Sequence, residues 1–177
     1  MDEVNIRRAL AADAQLLAEL SAVTFFDTFK DTCAEEDMQS FIKYYFSLEQ
    51  LESELHDTND FYFIAFIDAV AVGYVRLKEE QSEVDIIHKH KGIELKRIYV
   101  LTEYHSKKIG AALLKFSFKF AAERNYKLIW LGVWEHNERA KTFYKKFGFE
   151  DTGVMHPFPI GNTPQFDNWL YRFIKNE

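Results

Sequence analysis

A chain of 177 residues, 47% apolar and 16% aromatic, is long enough to bury its own core and too apolar to be disordered. Its formal net charge of −6 argues against nucleic acid as the main partner and tilts toward a cationic small molecule, although an ordinary solubilising surface gives the same balance. Cys33 is the only cysteine, which excludes an internal disulfide and a cysteine-built zinc site and suits a reducing compartment.

In chain order, the hydrophobic periods predict strands and helices of several lengths. Val4–Ala9 forms a short strand, and a helix follows with Leu16, Leu17, Leu20 and Val23 on one face. Its "MDEVNIRRALAADAQLLAEL" start mixes charges through the apolar positions, so it is neither a signal peptide nor a membrane span, and a cytoplasmic location is expected. "EEDMQSFIKYYFSLEQLESELHDTND" continues as helix, with Ser47 heading a Ser-Leu-Glu-Gln capping signal. "FYFIAFID" and "VAVGYVRLKEE" read as an antiparallel hairpin turning around Asp68–Ala69, and "GIELKRIYVL" as a further strand. Residues 110–124 form a helix with Leu113, Leu114, Ser117, Phe118 and Ala121 inward, and "LIWLGVW" is the unbroken apolar run of a central strand. "NERAKTFYKKFGF" is a short helix closed by Gly148, and residues 152–174 give two strands around "PIGNTP". The last strand, "NWLYRFI", either completes the sheet or offers a dimer edge, so monomer and homodimer both stay open. With no repeat and no Pro/Gly/Ser linker, residues 1–177 are expected to be one domain of mixed α/β (α+β) class, not a doubly wound one.

The segment "RIYVLTEYHSKKIGAALLKF" hands a strand to a helix through Tyr104–Gly110, a basic joint. A helix N-terminus leaves backbone N–H groups unpaired and carries partial positive charge, so Lys107 and Lys108 at its mouth suit a phosphate or pyrophosphate. The P-loop and Rossmann glycine patterns are both missing. Two solvated lysines before an ordinary helix remain the plainer alternative.

A second segment, "LGVWEHNERAKTFYKKFGFEDTG", sets Asn137, Ala140 and Tyr144 at helical spacing on one face, an arrangement that suits an extended ligand. Together the two segments resemble the GNAT (Gcn5-related) N-acetyltransferase family. The family's Asn-x-x-Ala-x-x-Phe-Tyr-x-x-x-Gly-Phe motif is matched at every position by Asn137, Ala140, Phe143, Tyr144, Gly148 and Phe149. Its Gln/Arg-x-x-Gly-x-Gly/Ala motif is matched with departures: His105 stands at the first position and Lys108 at the first glycine, while Gly110 matches the second. A lysine is tolerable there if it keeps a negative φ. Stretches such as "GYVRLK", "ELKRIYV" and "TGVMHPFPIG" look in particular like the PaiA-type spermidine/spermine acetyltransferases.

The resemblance implies a GNAT fold, with a mostly antiparallel mixed sheet whose strands splay at the cofactor site, and acetyl-CoA as co-substrate with no metal. It implies that the anion at the joint is the pyrophosphate of coenzyme A, held by His105, Ser106, Lys107, Lys108, Ile109, Gly110 and Ala111. Backbone at Ile98, Tyr99 and Val100 would take the pantetheine arm as a pseudo-strand and polarise the thioester, and Asn137 would hold the pantetheine amides. Amines have a pKa near ~10.4 and arrive protonated, so a base is needed; the family's acid falls on Glu94, acting directly or through water. Tyr144 would donate to the departing sulfur. The acceptor expected is a small primary amine, with a polyamine as the finer expectation; a protein-modifying acetyltransferase and a weakly catalytic CoA-binding sensor are the alternatives.

The remaining polar residues have two readings each. His156 is a candidate for lining the acceptor pocket, and Glu35, with Glu36 and Asp37, for attracting a polycation; a solvated helix start explains the acids equally well. His88 and His90 have metal-pair spacing but lack carboxylate or cysteine partners nearby, which favours a solvated turn. No membrane and no nucleic acid enters this expectation.

Overall fold

The computed structural model describes residues 4–175. Seven strands form one sheet in the order β1-β2-β3-β4-β5-β7-β6. They are β1 (Asn5–Arg8), β2 (Asp60–Ile67), β3 (Val70–Lys78), β4 (Gly92–Val100), β5 (Leu128–Trp134), β6 (Glu150–Pro157) and β7 (Phe166–Phe173). Every neighbouring pair is antiparallel except β4 and β5, which run parallel through the crossover helix α5 (Ile109–Glu123). The expected fold class, a mixed sheet covered by helices, is what forms.

The two faces of the sheet carry separate cores. Helix α5 packs Ile109, Leu113, Leu114 and Ala121 against Val75, Leu77, Ile93, Leu95, Ile129 and Leu131, joined by Tyr144 of α6 (Glu138–Lys146). On the other face α1 (Ala14–Phe29), α2 (Glu35–Tyr45) and α3 (Leu48–His56) bring Leu17, Phe25, Phe29, Met38 and Leu51 onto Tyr62, Ile64 and Tyr74. The short helix α4 (Asp85–His88) covers Leu128 and Trp130 with Ile87. Strand alternation sorts these side chains: Ile93 and Leu95 enter the α5 core, so Glu94 between them points to the other face.

Local chemistry sets the joints. The β2–β3 turn has Asp68 and Ala69 both at positive φ, 46° and 66°, the geometry of a tight hairpin whose twist matches its strands. Ser47 accepts a hydrogen bond from Gln50 N–H and caps α3. Helix α6 ends on Gly148 (φ 76°), with Phe149 N–H bonded to Tyr144 C=O and Gly148 N–H to Lys145 C=O, a left-handed helix stop. Two expectations change, and one open alternative closes. Val23 is 51% exposed, because the buried stripe of α1 runs through Leu17, Leu20, Ser21 and Thr24 instead. Phe118 is half-buried while Phe120 joins the core. Strand β7 lies between β5 and β6, so of its two alternatives it completes the sheet; β6 is the edge strand on that side and is mostly exposed.

Candidate active site

The sheet opens between β4 and β5. Their parallel pairing covers only Gly92–Glu94 against Leu128–Trp130, although β4 runs on to Val100 and β5 to Trp134. Beyond Glu94, β4 has a strand partner only on its β3 side. The β3–β4 register slips between Arg76 and Leu77, opposite Lys96, and such a bulge bends a strand away from its neighbour. Gly132 shows the opening directly, for it is exposed in the middle of a strand whose neighbours Leu131 and Val133 are buried.

At the foot of the opening stands the basic joint. Thr102–Lys107 winds as a 3-10 turn, Lys108 takes the left-handed conformation (φ 60°, ψ 18°), and α5 begins at Ile109. The condition under which a lysine is tolerable there, a negative φ, is not met: the chain must reverse from the 3-10 turn into the helix, and this residue absorbs the change, which is what a glycine there would do without strain. The first backbone bond onto Lys108 C=O comes from Ala112, so the N–H groups of Ile109, Gly110 and Ala111 face the open end of the helix. Ile109 offers only its backbone, since its side chain is fully buried. Gly110 has no positive φ, and a Cβ there would meet nothing closer than 3.9 Å, at Phe143 and Val100. Nothing within the chain requires that glycine, so the space it leaves fits a group that approaches the helix from outside.

His105, Ser106, Lys107 and Lys108 are all exposed. His105 Nε2 donates to Val100 C=O at 2.8 Å, which obliges Nδ1 to accept from Arg139 Nη1 at 3.0 Å. That pair ties the end of β4, the joint and the first turn of α6 together and brings Arg139 beside the lysines. The ammonium of Lys107 lies 5.3 Å from the Tyr104 ring.

Tyr144 comes from α6 into the α5-side core, 7% exposed, with its ring against Phe143 and Phe149. Its hydroxyl makes no hydrogen bond among the described residues, and burial, with Asp167 adding negative charge, pushes its pKa up, so it stays a proton donor. Asn137 departs from the expected helix-face position. It is the N-cap of α6, its Oδ1 accepting from Ala140 N–H at 3.0 Å, while its amide NH₂ donates to no described residue and is available to a ligand.

Glu94 sits at the closed end of the opening, 8% exposed, beside Trp130. Burial, against the attraction of Lys96 and with Glu80 close by, pushes its carboxyl up to about 7. The Lys96 ammonium bridges the two acids at 3.0 Å each. Glu35 is exposed in the first turn of α2, and no contact joins it to this group; its neighbour Asp37 is the one with a task, accepting from Asn162 N–H and filling the space left by Gly161. His156 lies on β6 opposite Asp167, its ring 5.0 Å from that of Trp169. His88 and His90 are exposed, and among the described residues no group of three or more His, Cys, Asp or Glu side chains could hold a metal ion.

Three participants at the opening were not expected from the sequence: Gly132, Arg139 and Asp167. A lone glycine inside "LIWLGVW" is the signal that could have located the opening, since glycine in a strand often marks a close approach. Asp167 and Arg139 reach it only through the β5–β7 register and the packing of α6.

The chain was compared with known proteins. The family model described as Acetyltransferase (GNAT) family matches residues 17–149. An uncharacterised N-acetyltransferase of Lactobacillus delbrueckii subsp. lactis is 29% identical over 98% of this chain and 99% of its own. A spermidine N(1)-acetyltransferase of Thermoplasma acidophilum is 31% identical, with 84% of this chain and 91% of the relative covered. Among solved structures, the PaiA N-acetyltransferase of T. acidophilum in complex with coenzyme A superposes with a TM-score of 0.78 at 24% identity, covering 97% of this chain and 99% of that one. The chain belongs to the GNAT family of acetyltransferases, and its enzymatic class is that of the N-acetyltransferases. No helix among the described residues is long and apolar enough to cross a membrane.

Proposed function

We propose that this chain, acting as one domain in the cytoplasm, transfers the acetyl group of acetyl-CoA to a small primary amine by direct attack of the amine on the thioester, with a polyamine such as spermidine or spermine as acceptor. The observation that carries this is the opening itself: among the described residues, a β4 edge without a strand partner, an exposed Gly132 and a Tyr144 hydroxyl without a hydrogen bond stand with a basic helix start.

The N–H groups of Ile109, Gly110 and Ala111 hold the pyrophosphate, with Lys107, Lys108 and Arg139 offering charge to the phosphates. The β4 backbone at Ile98–Val100 takes the pantetheine arm and polarises the thioester carbonyl, and the Asn137 NH₂ adds a donor to an amide of that arm. Tyr144 gives its proton to the departing sulfur. Glu94, on the other face and near neutrality, takes the ammonium proton through water; a base tuned close to the working pH is the efficient one.

The polyamine reading rests on three further points. The chain carries a net charge of −6. A groove of about 590 Å³ beside the opening is lined by Trp169, Val154, Met155 and His156 together with the carboxylate of Glu83 and that of Asp85, the latter paired with Lys89, which suits methylene segments next to a cation. The Thermoplasma relative bears the name of a spermidine acetyltransferase. The test is thiol release from acetyl-CoA across a panel of amines and peptide N-termini. Spermidine or spermine should give the highest kcat/KM, declining as salt screens the attraction. No thiol release with any amine defeats the reaction; a preferred monoamine or peptide defeats the polyamine alone.

A further inference from the structure

One carboxylate at the opening has no task in that scheme. Asp167 stands at the start of β7, paired in register with Trp134 of β5 on one side and His156 of β6 on the other. Its carboxylate lies over the β5 backbone at Gly132: a Cβ on that glycine would come within 2.8 Å of Oδ2 and 3.2 Å of the Asp167 Cβ. Gly132 has an ordinary φ, so the contact with Asp167 is what the glycine allows. Among the described residues, Asp167 has neither a hydrogen bond nor an ion pair, although it is half-buried. A carboxylate kept out of water without a partner is costly, which makes it a group awaiting one.

Its surroundings define the partner. Tyr99 from β4 and Tyr144 from α6 both feel the Asp167 charge, so the carboxylate is within electrostatic reach of the β4 edge and of the hydroxyl assigned to the sulfur. Glu135, just past β5, is a further acid acting on it, and His156 faces it from β6. Trp134 is its register partner on β5, and Trp169, two residues further along β7 and opposite Gly132, lies on the same face of the sheet. An acid on a sheet face that also carries two tryptophans, with a second acid near, suits an alkylammonium and repels anions. Glu94 cannot serve equally, because Lys96 already occupies it and it lies beside Trp130, two residues or about 7 Å further down β5 from Gly132.

Resting on the acetyltransferase reading above, we propose that Asp167 is the docking site for the ammonium of the acceptor amine, holding the reacting nitrogen at the mouth of the opening while Glu94 receives its proton. The role is binding and positioning, and no covalent step passes through Asp167. Burial and Glu135 push its carboxyl up to about 6, so the site is charged and competent above that pH and loses its ammonium affinity below it.

The experiment uses the whole chain with saturating acetyl-CoA and spermidine as probe, comparing wild type with Asp167→Asn, an isosteric change. The KM for spermidine should rise about 10- to 100-fold at pH 7.5, as expected for loss of a charge-assisted contact, with kcat and acetyl-CoA affinity nearly unchanged. In wild type that KM should climb as the pH falls through about 6, and in D167N it should stay flat there. Spermidine remains protonated throughout, so the limb belongs to the protein. Gly132→Ala, whose Cβ would displace the carboxylate, should reproduce the KM effect should D167N fold poorly. An unchanged KM in D167N overturns the role of Asp167, as does a fall in kcat at unchanged KM or persistence of the limb near pH 6. Wild type silent with every amine overturns the acetyltransferase reading and this role with it.

Discussion

Two groups of buried polar side chains lie on the same sheet, and the fold treats them in opposite ways. Between β2, β3, β4 and α3, every charge is matched. Arg76 makes a two-pronged contact with Asp60 at 2.7 and 2.8 Å and reaches Glu54 at 2.8 Å, while Arg97 bonds Glu54 at 3.1 Å and the Tyr62 hydroxyl at 2.7 Å. Burial disfavours the Glu54 carboxylate, but Arg97 and Arg76 outweigh it and hold its pKa below the ordinary range. At the opening the same kinds of group are left incomplete among the described residues: Asp167 without a hydrogen bond or ion pair, Tyr144 without a partner for its hydroxyl, Glu94 pushed up to about 7. A saturated network has no valence for a ligand, so it fixes structure; an unsaturated one stores the capacity to bind.

The strongest way to break this comparison is at Arg76. Replacing it with Met leaves Asp60 and Glu54 buried without their main cation, and the loss should be about 3–5 kcal/mol of unfolding free energy by urea titration. A loss below about 1 kcal/mol would show that the network is not structural. Tyr144→Phe is the counterpart at the opening. It removes a hydroxyl with no hydrogen-bond partner among the described residues, so stability should hold while kcat and kcat/KM fall together by about 10²-fold, with acetyl-CoA binding kept. An unaltered kcat with chemistry rate-limiting returns Tyr144 to packing.

The same contrast explains what could be read from residues alone. The order of strands and helices was legible because "FYFIAFID", "VAVGYVRLKEE" and "LIWLGVW" carry strong local periods, and Gly148 stops α6 through its own backbone geometry. The joint, the Tyr144 motif and Glu94 lie within continuous segments, so they too were visible. Asp167 was not, because its position depends on β7 inserting between β5 and β6, a pairing that no local pattern encodes. Asn137 was misplaced for a related reason: helical spacing puts it on a face, but an Asn at a helix start is more valuable as a cap. The sign of φ at Lys108 was not legible, because it is set by what the 3-10 turn must join and not by the residue.

The two groups also predict opposite pH signs. Glu54, held low when folded, adds stability that is complete above the ordinary carboxyl range and is lost as pH falls through its folded value. Glu94 is raised, so the folded state binds its proton more tightly than the unfolded chain does. Its cost is absent below the ordinary carboxyl value, grows as pH rises, and is complete above about 7. Glu94→Gln should therefore raise stability at pH 8 by about 1–3 kcal/mol and leave it nearly unchanged at pH 4. Its activity should drop most near neutrality and recover partly at alkaline pH, where more amine is unprotonated. Equal stability changes at both pH values would mean that the proton on Glu94 is not what folding controls.

The smallest effect expected separates strain from charge at the joint. Lys108 holds φ 60°, a conformation that costs a side chain about 1 kcal/mol and costs glycine little. Lys108→Gly should relieve that strain and raise stability by up to about 1 kcal/mol, part of it offset by the freer unfolded chain. Lys108→Ala removes the charge but keeps the strain, so it should not stabilise. If the ammonium is held in this conformation to reach a phosphate of coenzyme A, both variants should bind acetyl-CoA more weakly by the same few-fold factor, consistent with an exposed ion pair of about 1 kcal/mol or less. Dephospho-CoA identifies the phosphate, because the lysine variants would lose discrimination between it and CoA only if the contact is with the 3′-phosphate. A glycine variant that is more stable and binds acetyl-CoA equally well would leave the backbone N–H groups of Ile109, Gly110 and Ala111 as the whole of the cradle, and the strain at Lys108 without a ligand to explain it.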